Sequence, residues 1–267
     1  MSRAYAEVIG DPIAHSKSPL IHNFWLGKLG IDAEYRACHV RPEQLADYFT
    51  SRREDAGWRG CNITIPHKQA VVPLLDECDP KASAVGAVNT VARKAGGILL
   101  GTNTDVDGVG EAVGVAASKL PGRHAVVIGA GGAARAAFTW LASRGCASVR
   151  VLARSPEKAA AAAGECGLAA DVRVLQPDSG AFADAVLVIN ATQLGMKGQD
   201  AMPAFVCDEL ADAPPDALVF DMVYAPLETP LLRAAGQRGL RTADGLAMLI
   251  GQAAVAFEAF FGVPAPR

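Results

Sequence analysis

Three polar stretches in the first part of the chain carry side chains suited to gripping a small, hydroxyl-rich acid. The first, Gly10 to Pro19, reads GDPIAHSKSP and offers the hydroxyls of Ser16 and Ser18. The second, Asn62 to Lys68, reads NITIPHK and adds an amide, a hydroxyl and the ammonium of Lys68. The third joins Asn89 and Thr90 to Gly101–Asp105, where Asp105 supplies a carboxylate. Ligand hydroxyls would bond to the Asn, Thr and Asp side chains, and an acid group to the serine hydroxyls and other donors. Plainer roles exist for each. Ser18 before Pro19 fits a helix N-cap, Asp105 fits another, and lysines are commonplace on surfaces. Lys68, however, is expected to begin a helix, where its charge opposes the dipole, so stability alone does not account for it.

A second kind of chemistry is written at 124–138, HAVVIGAGGAARAAF. Val126, Val127 and Ile128 read as a buried strand and Ala133 onward as a helix. Between them Gly129, Gly131 and Ala134 fit G-x-G-x-x-A, so that Gly129, Ala130, Gly131, Gly132 and Ala133 form a turn bringing a helix N-terminus to a dinucleotide pyrophosphate. A turn preferring NAD is usually followed about 20 residues on by Asp or Glu for the ribose hydroxyls. Here the next strand ends in Ala153-Arg154-Ser155-Pro156-Glu157-Lys158. The cations of Arg154 and Lys158 suit a 2′-phosphate, which points to NADP; as the plainer alternative they are solvated charges, with Ser155 capping the next helix.

The elements that must position these groups alternate between strand and helix, which signals a mainly parallel α/β fold. Strands are expected near Ala6–Ile9, Ala33–Cys38, Cys61–Ile65, Val88–Arg93 and Ile98–Leu100, with helices at Pro19–Leu29, Pro42–Arg52 and Lys68–Leu75. Alternation places Asn62 and Thr64 on one strand face. A helix over Val106–Ala117 leads into a second series of strands at Ala125–Ile128, Val149–Leu152, Val172–Leu175, Val186–Ile189 and Leu218–Phe220, with helices at Ala133–Arg144 and Pro156–Ala163. The last helix, Leu246–Phe261, has no strand after it and is expected to return to the first domain. The expected division is residues 1–105 plus 241–267 for substrate and 106–240 for a Rossmann-type NADP domain, with hinges at Asp105–Gly108 and Gly239–Gly245.

Composition bounds the rest. The 267 residues, 51% hydrophobic and 20% charged, with a net charge of −3, describe an ordinary globular chain and give no electrostatic case for nucleic acid or an anionic membrane. No apolar run reaches the roughly 20 residues of a membrane span, and the N-terminus lacks a signal-peptide core. The six cysteines are scattered without a C-x-x-C pair, against a zinc or redox site and in keeping with a cytoplasmic protein. A monomer or homodimer is expected.

At these residues the chain resembles the shikimate dehydrogenase family nearly end to end. The matching signatures are G-x-P-I-x-H-S-x-S-P-x-x-H-N at Gly10–Asn23, N-[VI]-T-x-P-x-K at Asn62–Lys68, G-A-V-N-T at Gly86–Thr90 and N-T-D at Asn103–Asp105. The turn G-A-G-G-A, then D-M-[VI]-Y at Asp221–Tyr224 and D-G-x-x-M-L-x-x-Q-A at Asp244–Ala253, complete seven in family order. The resemblance implies reversible NADPH-dependent reduction of 3-dehydroshikimate to shikimate, a step of aromatic amino acid biosynthesis. It assigns Ser16 and Ser18 to the substrate carboxylate. Thr64, Lys68, Asn89, Asp105 and Gln252 would hold the ring hydroxyls and carbonyl, with Tyr224 nearby. Lys68 and Asp105 would be the catalytic pair, the lysine passing the proton. Arg154, Ser155 and Lys158 would grip the 2′-phosphate, and Met222 and Gly245 would lie beside the nicotinamide. No metal is required.

Three departures stand out. Ala153-Arg154-Ser155 replaces the frequent Asn-Arg-Thr, Gln193 stands where Pro or Ser is usual, and Asp107 adds a carboxylate beyond Asp105. None touches the expected proton-transfer pair. The rivals are a quinate/shikimate dehydrogenase using NAD or NADP, disfavoured by the missing acidic residue, and a non-catalytic NADP-sensing regulator, disfavoured by the retention of Lys68 and Asp105.

Overall fold

The computed structural model describes residues 3–266. The chain divides into two compact units: one runs up to Thr104 and resumes at Gln252, the other is Asp105–Gly251.

In the first unit, β1 (Ala4–Gly10), α1 (Ser18–Leu29), β2 (Ala33–His39), α2 (Leu45–Glu54), β3 (Trp58–Ile63), β4 (Glu77–Cys78), α3 (Pro80–Val85), β5 (Thr90–Arg93) and β6 (Leu99–Thr102) follow in order. The sheet order is β2-β1-β3-β5-β6-β4. The β1–β2, β1–β3 and β4–β6 pairings are parallel, whereas β5 runs antiparallel to both neighbours. One face packs Tyr48 and Phe49 of α2 against Trp58, Cys61 and Ile63. Phe257 and Phe260 reach back to His22, Trp25 and Tyr35. Glu7, buried in β1, is held by Arg52 Nε at 2.8 Å, Arg36 Nε at 3.0 Å and the Tyr48 hydroxyl at 2.8 Å. Burial alone would raise this carboxyl, but the hydrogen bonds from Arg52, Tyr48 and Arg36 outweigh it and hold it below its ordinary range.

The second unit contains α4 (Asp105–Val113), β7 (His124–Ile128), α5 (Gly132–Ala142), β8 (Ser148–Ala153), α6 (Pro156–Glu165), β9 (Ala170–Val174), β10 (Ala185–Asn190), α7 (Ala204–Asp208), β11 (Leu218–Asp221), α8 (Pro230–Gln237), β12 (Arg241–Ala243) and the start of α9 (Gly245–Phe261). Its six strands lie in the order β12-β11-β10-β7-β8-β9 and are all parallel. This is the doubly wound arrangement, with strand order reversing between β7 and β10. Alternation sorts each strand onto two cores. Ala125, Val127, Leu218 and Phe220 face one, and Val126, Ile128 and Val219 the other, so strands covered on both sides read as continuous apolar runs.

Several expected elements differ. Lys68–Leu75 is not an α-helix but a run of turns ending in a 3₁₀ turn at Val72–Leu74, because Pro73 cannot donate within a helix. Asp105–Gly108 is the first turn of α4 rather than a linker, and Gly239–Gly245 contains β12, an edge strand of the second sheet. The second crossing between units falls inside α9, at Gly251/Gln252, eleven residues later than expected.

Candidate active site

In the first unit the expected polar groups gather where the sheet's strands end. Parallel pairing of β1 with β3 sets the first two stretches side by side: Thr64 N donates to Ile9 O at 3.0 Å and Asp11 N to Ile65 O at 3.0 Å. The third joins through Val88 N to Lys68 O at 2.8 Å. The turn that carries Lys68 is further pinned by His67, whose buried ring meets Val40 O at 2.7 Å. Ser18 is the first residue of α1 rather than its cap; Lys17 holds the cap position, and Ser16 Oγ accepts from Ser18 N at 3.3 Å. The Ser18 hydroxyl is therefore not spent on capping.

Asn89 is fixed at both ends of its amide. Its Oδ1 accepts from Thr104 N at 2.8 Å, and its Nδ2 donates to Thr104 Oγ1 at 3.0 Å. Thr104 Oγ1 in turn lies 3.5 Å from Gln252 Oε1. Ser16, Ser18, Thr64, Lys68, Asn89 and Gln252 thus belong to one unit, whereas Asp105 and Tyr224 belong to the other. Asp105 follows Thr104 directly and opens α4. The Asp11–Pro12 and Ile65–Pro66 bonds, within the first two stretches, are cis, as is Ala225–Pro226 in the second unit.

The second unit builds the dinucleotide turn. Gly129 has φ of +102°, and a Cβ there would sit 2.6 Å from Thr192 Cγ2, so the position demands glycine on both counts. α5 begins at Gly132 with no side-chain cap, which leaves its first backbone N–H groups for an anion. Added Cβ atoms at Gly131 and Gly132 would meet nothing within 4 Å, so the space above the turn is open. Ser155 holds the cap position of α6 but makes no capping bond, leaving its hydroxyl available. Arg154, Ser155 and Lys158 are exposed, and among the described residues neither cation has an ion-pair partner. This donor set fits a 2′-phosphorylated dinucleotide. Met222 and Gly245 also come together: Gly245 N donates to Val223 O at 3.2 Å, and a side chain at Gly245 would overlap the Met222 carbonyl. Among the described residues no cluster of His, Cys, Asp or Glu could hold a metal, and no helix is long and apolar enough to cross a membrane.

Family models match at three places: the shikimate dehydrogenase substrate binding domain at residues 8–91, shikimate/quinate 5-dehydrogenase at 112–195, and the shikimate 5′-dehydrogenase C-terminal domain at 245–267. A shikimate dehydrogenase (NADP(+)) of Sphingopyxis alaskensis is 50% identical over 98% of this chain and 93% of its own length. The chain belongs to the shikimate dehydrogenase family. A shikimate dehydrogenase solved with NADP+ superposes with a TM-score of 0.89 at 34% identity, covering 99% of this chain and 92% of that one. The Thermus thermophilus shikimate dehydrogenase solved with NADP(H) and shikimate gives 0.84 at 37% identity, covering 98% and 95%. The two-unit α/β fold, with a returning C-terminal helix, is that of shikimate dehydrogenases.

Behind these polar groups lie residues whose roles the sequence alone does not give. β3 ends at Ile63, one residue before Thr64, and the Asn62 side chain turns inward, accepting from the Tyr35 hydroxyl at 2.6 Å and donating to Thr90 Oγ1 at 2.9 Å. In the second unit, Asn190 and Asp221 end β10 and β11, fully buried and bonded to each other. Asp221 enters the sequence reading only as part of a signature, and Asn190 not at all. The available signal was a polar residue closing an otherwise apolar strand.

Proposed function

We infer that the chain catalyses the reversible NADPH-dependent reduction of 3-dehydroshikimate to shikimate. The first unit binds the substrate and the second the cofactor. The observation that carries this reading is the complete polar set Ser16, Ser18, Thr64, Lys68, Asn89, Asp105 and Gln252 in a chain that also holds a dinucleotide turn followed by Arg154 and Lys158. Ser16 and Ser18 donate to the substrate carboxylate. Thr64, Asn89 and Gln252 orient the ring hydroxyls, with Tyr224 beside them. Gly129 to Ala133 cradle the pyrophosphate. Arg154, Ser155 and Lys158 grip the 2′-phosphate, and Met222 and Gly245 line the nicotinamide.

When bound, NADPH supplies the hydride. The ring carbonyl oxygen gains negative charge as the carbon accepts it. Lys68, as an ammonium, stabilises that charge and delivers its proton to the oxygen, acting as both electrostatic and acid catalyst. Asp105 is the second member of the catalytic pair. In the reverse direction neutral Lys68 takes the hydroxyl proton. The free thiols fit a cytoplasmic enzyme, which acts as a monomer or homodimer.

The test is absorbance at 340 nm with purified protein, shikimate or quinate, and NADP or NAD. Reduction of NADP with shikimate alone supports the reading. Preference for quinate or NAD would move the chain to the quinate/shikimate branch. A folded protein that binds NADP yet stays silent in all four mixtures would be a sensor.

A further inference from the structure

Asp221 and Asn190 are charged and polar groups placed where apolar residues would ordinarily close the core. Each is fully buried at the carboxyl end of a parallel strand, Asn190 on β10 beside the point where strand order reverses and Asp221 on the neighbouring β11. Their bonds lead outward in two directions. On one side Asn190 Oδ1 accepts from Thr192 Oγ1 at 2.6 Å and from Thr192 N at 3.0 Å, and Thr192 Oγ1 accepts from Leu194 N at 3.1 Å. The Thr192 methyl lies against the bare α-carbon of Gly129 in the dinucleotide turn. On the other side Asp221 Oδ1 accepts from Val223 N at 3.0 Å, and Met222 N donates to Asn190 O at 3.0 Å. The two sides meet in one bond, Asn190 Nδ2 to Asp221 Oδ1 at 2.9 Å. Thr229, which caps α8, completes the set by donating to Asp221 Oδ2 at 2.6 Å.

We propose that the Asn190–Asp221 pair is a positioning device for the cofactor, fixing the Gly129 turn and the Met222–Val223 edge at one spacing. The pair touches neither reactant. It acts through the backbone of two segments, the Gly129 turn and the Met222–Val223 edge, that would hold the pyrophosphate and the nicotinamide. Burial pushes the Asp221 carboxyl above its ordinary range despite the bonds from Thr229, Val223 and Asn190. A buried carboxyl is a costly way to close a core unless it is hydrogen-bonded, and this one is bonded at both oxygens, through Oδ1 to the segments it would position. The proposal rests on the cofactor placement given under the proposed function.

The experiment compares the parent with Asn190→Ala and Asp221→Asn by three readouts: NADPH affinity from its fluorescence, kcat with shikimate and NADP, and affinity for 2′,5′-ADP. The last molecule lacks the nicotinamide half, so it engages the Arg154–Lys158 end and the Gly129 turn but not the Met222–Val223 edge, and is insensitive to the spacing between the two. Asn190→Ala is expected to weaken NADPH binding and lower kcat by about tenfold each, and the isosteric Asp221→Asn by about threefold, with 2′,5′-ADP binding within twofold of the parent. Parallel loss of 2′,5′-ADP binding in the folded variants would reduce the pair to a structural role and overturn the proposal. Unchanged NADPH binding and kcat would overturn it equally. Should Asn190→Ala fail to fold, Thr192→Val cuts the same link at its half-buried outer end, and the same split is expected. A parent protein that binds neither NADPH nor 2′,5′-ADP would instead refute the cofactor assignment itself.

Discussion

His22 allows a sharp thermodynamic test of the first unit's interior. The ring sits fully buried on α1, stacked on Tyr35 with centroids 4.0 Å apart and an 8° interplanar angle. Trp25 and Phe257 close around it at 5.7 and 5.8 Å, and neither ring nitrogen has a hydrogen-bond partner among the described residues. Burial therefore lowers its pKa from 6.5 to about 3. The sign follows directly. Below pH 6.5 the unfolded chain takes up a proton that the folded one refuses until about pH 3, so this stability is present at neutral pH and lost on acidification. Integrating the linkage between pH 7 and pH 4.5 gives a loss of about 2.5 kcal/mol from this one residue. His22→Phe keeps a ring in the stack and removes the proton site. Urea unfolding of parent and variant at both pH values, followed by tryptophan fluorescence, isolates the effect, because every other group titrates alike in the two proteins. The acid-induced loss should be smaller in the variant by about 2.5 kcal/mol. An equal loss in both would mean that the folded protein protonates His22, and the reasoning from its dry, unpartnered ring would be wrong.

Lys68→Ala should lower turnover by about 10²–10⁴ with an unchanged circular dichroism spectrum, since the residue lies on a turn held by backbone bonds from His67 and Val88. Near-parent turnover would remove it from the mechanism. Arg154→Ala should raise the KM for NADP by about ten- to hundredfold and leave that for NAD unchanged, as one charge-assisted bond to the 2′-phosphate disappears. Steady-state kinetics with both cofactors separates this from a general loss of binding. Glu7→Gln should destabilise the fold by about 3 kcal/mol, because Arg36 and Arg52 lose their buried counter-charge. The Glu7 carboxyl is held low, so its contribution is present above the ordinary carboxylate range and lost as pH falls through the folded value. Denaturant titration across that range should show a flatter acid limb in the variant.

The second unit was the more legible. Val126–Ile128 before a glycine turn reads the same in sequence and structure, because a strand covered on both faces must be apolar throughout. The return of the last helix was legible for a related reason: its apolar face had no following strand to pack on. Short elements escaped. β12 is three residues at a sheet edge with two of them exposed, and its strand character comes only from pairing with β11. α3 carries its signal in Asp79-Pro80, whose carboxylate accepts from Ala82 N at 2.7 Å, but six residues show no helical period. The expected helix at Lys68 failed on Pro73, a signal present in the sequence and outweighed by the apolar run around it. At the site, residue types were legible and their division of labour was not. Asn62, which reads as a ligand group, is taken up by bonds to Tyr35 and Thr90. Ser18 opens α1 instead of capping it, and Ser16 Oγ accepts from its N–H. Nothing local in the sequence says that Asn190 and Asp221 would meet, since β10 and β11 become neighbours only when the sheet forms.

α9 is synthesised after every strand of both sheets, yet Phe260 packs so tightly over Gly60 that a Cβ there would come within 2.7 Å of its ring. The contiguous second unit can close its cores while the chain is still emerging, whereas the earliest-made unit waits for its final wall. At ordinary translation speeds the roughly 150 intervening residues take about 8–30 s. Through that interval His22, Trp25 and Tyr35 stand open as an aromatic face, a site where chaperones or unwanted self-association compete with the helix still to come.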